Sequence, residues 1–175
     1  MFVFNICAFE ILEQYLFKYS YNSCFMRILG INASPWLSVG HDASVALVVD
    51  GELKFAIEEE RLIRKKRAYD LLPLLSIKAC LNSQSLELDD IDYVVFSWDW
   101  AKVGPSEDTD YSFKTEEVLN KFFPKKYFSY KKTPQIRYVE HHLAHAASTF
   151  RCSGFEKAAI LVVDGQGEYC SSSIW

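Results

Sequence analysis

No two cysteines in this chain stand in a CxxC pair. The thiols Cys7, Cys24, Cys80, Cys152 and Cys170 are odd in number and widely scattered. That spacing excludes a cysteine zinc ribbon and leaves no disulfide framework to expect; free thiols in a reducing cytoplasm are the expected state. Long apolar runs are missing too. The stretch from Met1 to Phe9 is apolar, but Glu10, Glu13 and Lys18 interrupt it well short of the roughly 20 residues a membrane span needs. A basic segment ahead of a small-residue cleavage site is also lacking, so no secretory signal is expected. Positive charge is in deficit, with 19 Lys and Arg against 23 Asp and Glu, a net charge of −4. Without a basic excess or an arginine-rich tract, no nucleic-acid footprint is expected. The runs Arg64-Lys65-Lys66-Arg67, Lys125-Lys126 and Lys131-Lys132 read as solvated surface. Internal repeats and low-complexity tracts are absent. What remains is ordinary globular composition, 50% hydrophobic and 24% charged, in a chain long enough for one packed domain.

Apolar patterning divides that domain into short elements. Arg27 to Asn32 reads as a strand, 33–42 as a loop, and Ser44 to Val49 as a second strand. Asp50-Gly51 is a strong two-residue hairpin signal, with Leu53 to Ile57 returning as a third strand. Glu58 to Arg67 is charged and helical or irregular. Leu71 to Leu81 has helical spacing with Pro73 near its start. Asp92 to Trp98 and Ile136 to Val139 read as strands. Between them, Gly104 to Asp108 is loop, Thr115 to Phe123 a short helix, and Lys125 to Thr133 a basic, aromatic stretch. Ala158 to Val163 is the last clear strand, its Ile160 to Val163 core expected to be buried. Strands opening the chain and alternating later with helices indicate an α/β domain.

Three of the four histidines lie in His141-His142-Leu143-Ala144-His145. On a helix, His141 and His145 stand at i and i+4, about 6 Å apart along the axis and on one face. Asp164 begins the glycine-rich turn that ends the last strand, and two imidazole nitrogens with one carboxylate oxygen make a first shell for Fe(II) or Zn(II). The plain alternative is a solvated histidine face followed by an ordinary strand and turn. His142 falls off the paired face and is expected to point toward substrate or solvent. Asp164-Gly165-Gln166-Gly167 has a second reading as a phosphate-contacting loop, with a plain hairpin as its alternative. Cys152 carries no pattern that marks it as a nucleophile.

Glu140 to Phe150, then Ser153-Gly154-Phe155, then Val162 to Glu168, closely resemble the O-carbamoyltransferase family, whose members carbamoylate antibiotics and nodulation factors. Ile28-Leu29-Gly30-Ile31-Asn32, Gly40 to Leu47, Asp50 to Leu53, Glu58 to Leu62 and Arg64-Lys65-Lys66 resemble the opening of the same family. The resemblance spans roughly residues 26–175. It implies an actin-like ATPase (ASKHA) fold with a mixed sheet and flanking helices, incomplete at the C-terminus. It further implies His141, His145 and Asp164 as metal ligands, Fe(II) favoured and Zn(II) the alternative, with a fourth carboxylate beyond Trp175. His41, with Asp42 beside it, is implied as general base toward the acceptor hydroxyl; histidine suits that task because its ordinary pKa lies near working pH. Local stabilisation of the loop is the alternative for both residues.

The full reaction implied uses carbamoyl phosphate and ATP, makes carbamoyl adenylate in a separate C-terminal domain, and passes the carbamoyl group to a hydroxylated small molecule. This chain is expected to hold an incomplete N-terminal domain over 26–175, inactive alone, preceded by an atypical extension over 1–25, with Met26 as natural start. Arg61, Arg64 and Lys65 are candidates to meet an anionic donor. Lys66-Arg67-Ala68-Tyr69-Asp70 stands where many relatives read lysine-histidine-aspartate, so a role for that histidine is unsupported. The rivals are a tRNA threonylcarbamoyl-transferase-like protein, against which the charge balance counts, a zinc peptidase, which lacks the glutamate of H-E-x-x-H, and a non-catalytic metal- or nucleotide-binding remnant.

Overall fold

The computed structural model describes residues 26–35, 40–102 and 114–175. Five strands form one sheet: β1 (Arg27–Asn32), β2 (Ser44–Val49), β3 (Glu52–Glu58), β4 (Tyr93–Phe96) and β5 (Gln135–Tyr138), in the order β3-β2-β1-β4-β5. The first three are antiparallel neighbours, whereas β1, β4 and β5 run parallel. The expected mixed sheet is therefore present. β1 and β2 lie inside it and are buried on both faces, which is why they read as continuous apolar runs. β3 forms an edge and carries the more polar sequence.

The Asp50-Gly51 turn forms as expected. Both residues have positive φ, 52° and 80°, a conformation that matches the twist of the flanking strands and that glycine adopts without strain. Asp50 Oδ1 also accepts the Met26 N–H at 2.8 Å, which ties the turn to the start of β1.

Helices α1 (Glu59–Ile63), α2 (Leu74–Ser83), α3 (Thr115–Phe122) and α4 (His141–Ser153) complete the fold. The larger core joins Leu29, Ile31, Val45, Leu47, Val94 and Phe96 of the sheet to Ile77, Cys80 and Leu81 of α2 and Val118, Leu119 and Phe122 of α3. A smaller cluster, Ile28, Ala46, Val48, Val95, Val139 and Ala144, covers the alternate side chains and brings α4 onto the other face. Glu59 is buried, yet its carboxylate accepts the N–H groups of Leu75 and Ser76 and the Ser76 hydroxyl. It thereby supplies acceptors that the start of α2 lacks in its own sequence.

Two expectations need correction. The strand expected from Ala158 to Val163 narrows to β6 (Leu161–Val163), and it is not buried. Only Val162 is enclosed, because β6 pairs with β7 (Ser172–Ile174) alone rather than joining the main sheet. The residues that follow the loop form β7 and pair antiparallel with β6. The extension over 1–25 and the Gly104 to Asp108 loop lie outside the described residues.

Candidate metal centre

Asn32 ends β1, Ser44 opens β2, Ser97 follows β4, and α4 begins just after β5. These points share one edge of the sheet, at the carboxyl ends of its parallel strands, where open α/β sheets place their ligand crevices. Both sequence-derived motifs converge there. Ser97 Oγ donates to Asn32 Oδ1 at 2.9 Å, and Asn32 Nδ2 donates to the Asp42 carbonyl at 3.2 Å. The Ser97 carbonyl faces His141 Nδ1 at 3.3 Å. A continuous polar chain thus runs from the His41-Asp42 loop to the histidine helix.

Helical spacing brings His141 and His145 together as expected, and the β6–β7 loop delivers Asp164 to the same point. His141 Nε2 lies 2.9 Å from Asp164 Oδ2, His145 Nε2 lies 2.8 Å from the same oxygen, and the two nitrogens are 2.9 Å apart. Each ring is aimed. A carbonyl can only accept, so in the tautomer with the proton on His141 Nδ1 the ring donates to Ser97 and Nε2 would be left to ligate a cation. Trp98 stacks on the same ring with centroids 3.9 Å apart, holding its plane. Asp164 Oδ1 is engaged by the Gly165 N–H at 2.6 Å, which directs Oδ2 at the histidines.

Burial, reinforced by the neighbouring His141, pushes the His145 imidazole below its ordinary pKa, which favours the neutral, ligating form. Burial alone would raise Asp164, but hydrogen bonds from His141, the Gly165 backbone and His145 together hold its carboxyl below the ordinary range. Among the described residues these three form the one His/Cys/Asp/Glu group able to hold a cation. Their ligand atoms lie close enough together to share one cation.

His142 departs from expectation. It points neither to solvent nor to an open site but lies buried beneath the β6–β7 hairpin, 1% exposed. Its Nδ1 contacts Ser173 Oγ at 2.8 Å and Cys170 Sγ at 3.6 Å. Gly167 explains itself through this ring: a Cβ there would come within 2.8 Å of His142 Nε2 and 2.7 Å of the Cys170 carbonyl. The backbone of the loop is a hairpin, with Asp164 N–H donating to the Ser171 carbonyl. Gly165 and Gln166 are exposed on it.

His41 is exposed, and its Nδ1 lies 2.7 Å from Asp42 Oδ2. The carboxylate can only accept, so Nδ1 carries the proton and Nε2 is the basic nitrogen. Asp42 adopts φ 56°, its N–H donates to the Arg67 carbonyl, and Arg67 Nε approaches its carboxylate at 3.5 Å. The loop at 66–70 therefore braces the dyad, with the Tyr69 ring edge-on to His41 at 6.0 Å. Arg61 is engaged by Glu58 and Glu60 instead of the site. The braces at Ser97 and Trp98 are not marked by local pattern in the sequence, and Asn32 and Glu168, though within the stretches that carry the family resemblance, are given no role by it.

Residues 27–175 match the family model described as carbamoyltransferase N-terminus. The nodulation protein NolNO of Sinorhizobium fredii is 32% identical, over 75% of this chain and 20% of its own length. The uncharacterized protein sll1178 of Synechocystis is 32% identical over 85% of this chain and 27% of its own. The chain thus spans about a quarter or less of the length of these relatives. Among solved structures, YeaZ from Pseudomonas aeruginosa gives a TM-score of 0.44 at 18% identity, covering 81% of this chain and 55% of that one. With a family match running from β1 through the histidine helix to the terminal strand, the chain belongs to the carbamoyltransferase family and carries its N-terminal domain.

Proposed function

We propose that this chain is the acceptor-side, metal-holding part of an O-carbamoyltransferase with an actin-like ATPase fold. The observation that carries the reading is the convergence of His141 Nε2, His145 Nε2 and Asp164 Oδ2 within 2.9 Å of one another. They meet on the sheet edge that also bears the His41-Asp42 dyad. Two imidazoles and one carboxylate as a donor set would suit Fe(II) best, with Zn(II) the alternative. A bound cation would supply Lewis acidity toward a carbonyl or phosphate oxygen.

The chain's own residues do the rest. His41 Nε2 takes the proton of an acceptor hydroxyl while Asp42 holds the resulting imidazolium through Nδ1–H. The hydroxyl oxygen forms a bond to the carbonyl carbon of carbamoyl adenylate, the bond from that carbon to the phosphate oxygen breaks, and AMP leaves. Carbamoyl phosphate and ATP are assigned to a C-terminal adenylating domain outside this chain, and the acceptor is a hydroxylated small molecule. Gly165 and Gln166, exposed beside Asp164, are the loop positions available to nucleotide.

Anaerobic calorimetry with Fe(II) and Zn(II) tests the site directly. The folded wild-type chain is expected to bind weakly, and His145→Ala to lose most of that binding through removal of one ligand. Absence of binding by the folded wild type, or unchanged binding by the variant, overturns the assignment.

A further inference from the structure

Glu168 is 4% exposed and lies four residues beyond Asp164 on the β6–β7 loop. Its carboxylate does not enter the His141, His145 and Asp164 triangle. Instead, Oε1 accepts the His141 N–H at 2.8 Å and the Asp99 N–H at 2.9 Å, while Oε2 lies 3.0 Å from the His141 nitrogen. One side chain therefore ties three segments together: the loop that carries Asp164, the turn after β4 that carries Ser97 and Trp98, and the first residue of α4. Glu140 at the head of that helix offers no side-chain cap of its own, so the cap arrives from the loop.

The position also has an electrostatic consequence. A helix N-terminus carries partial positive charge from its unpaired N–H groups, which opposes a cation in the first turn. His141 and His145 belong to the first turns of α4, so the helix by itself disfavours the ion they would hold. A carboxylate seated on that terminus cancels the opposing field and adds negative charge next to Asp164. We propose that Glu168 is a positioning residue of the metal centre, setting both the angle at which the Asp164 loop meets α4 and the charge that makes the helix start tolerant of a divalent cation. The proposal rests on the metal reading above.

Glu168→Gln removes the charge and keeps one oxygen able to accept both Oε1 contacts, giving up the second contact of the His141 N–H at Oε2. Glu168→Ala removes the charge and all of these contacts. Co(II) serves as probe, titrated anaerobically into the full chain, with affinity and the visible d–d spectrum as readouts and circular dichroism reporting the fold. Glu168→Gln is expected to remain folded and to bind Co(II) about tenfold more weakly, the scale of losses when a group supporting the ligands is removed. Glu168→Ala is expected to bind more weakly still, with an altered spectrum. Wild-type affinity and spectrum in Glu168→Gln overturn the proposal while leaving the metal site standing. Loss of the fold in Glu168→Gln overturns it too, since the residue would then hold the domain rather than tune the site. Absence of Co(II) binding by the folded wild type overturns the metal reading and this one with it.

Discussion

The main sheet and the β6–β7 hairpin are held by different forces. Strands β1 and β2 are enclosed on both faces, with Leu29, Val45 and Leu47 removed from water. In the hairpin, Leu161, Val163 and Ile174 are 68%, 72% and 77% exposed, and Val162 is the one buried apolar side chain. The sheet rests on apolar burial, at about 25 cal/mol per Å². The hairpin is anchored instead through polar contacts: Asp164 to the histidines, Glu168 to the start of α4, and Ser173 to His142. The contacts that assemble the candidate site are also the ones that dock the hairpin. Site geometry and local stability are therefore coupled at this end of the molecule, and nearly independent of each other in the sheet.

The sharpest contrast is chemical. Burial pushes the Cys80 thiol up to about 12, which leaves about a thousandfold less thiolate than an ordinary thiol presents. Under native conditions at pH 8, iodoacetamide is expected to modify exposed Cys152 and half-buried Cys170 while sparing Cys80 until the chain unfolds. Peptide mass spectrometry reads each site, and comparable native labelling of Cys80 would show that the sheet core opens as readily as the hairpin.

Next in size is Phe96→Ala. Phe96 is wholly buried on β4 and packs against Trp100, Phe122 and Tyr138, so its truncation should cost about 3–5 kcal/mol in urea unfolding. A loss under about 1 kcal/mol would remove the sheet from its place as the stable half.

His142→Ala should act locally and cost roughly 1–2 kcal/mol, through the lost Ser173 contact and the space left under Gly167. Hydrogen exchange is the measurement of choice here. The amides of Asp164 and Trp175 should exchange faster, while those of Leu29 and Val45 stay protected. Uniform acceleration would mean that hairpin and sheet unfold as one unit. Smallest of all, Ile174→Ala should shift stability by less than about 0.5 kcal/mol, because its side chain is already in water. A larger loss in thermal unfolding would identify buried surface on the hairpin.

Local features of this chain were legible without coordinates. The continuous apolar runs of β1 and β2, the Asp50-Gly51 turn, and the helical register that puts His141 and His145 on one face all depend on neighbours within a few residues, where periodicity and backbone preference decide. The burial of Ile160 to Val163 was misread for a related reason. An apolar run states that a strand is suited to burial but not whether anything lies over it, and β6 pairs only with β7.

Tertiary structure decided the rest. Asp164 reaches the histidines, His142 turns under Gly167, and Glu168 caps α4 only because the chain folds back on itself after some 20 residues. No local rule encodes those distances. Sequence determined which residues could ligate a cation and which elements would carry them. The return of the hairpin onto the helix determined that their side chains meet, because convergence to within 3 Å is a property of packed elements and not of spacing along a chain.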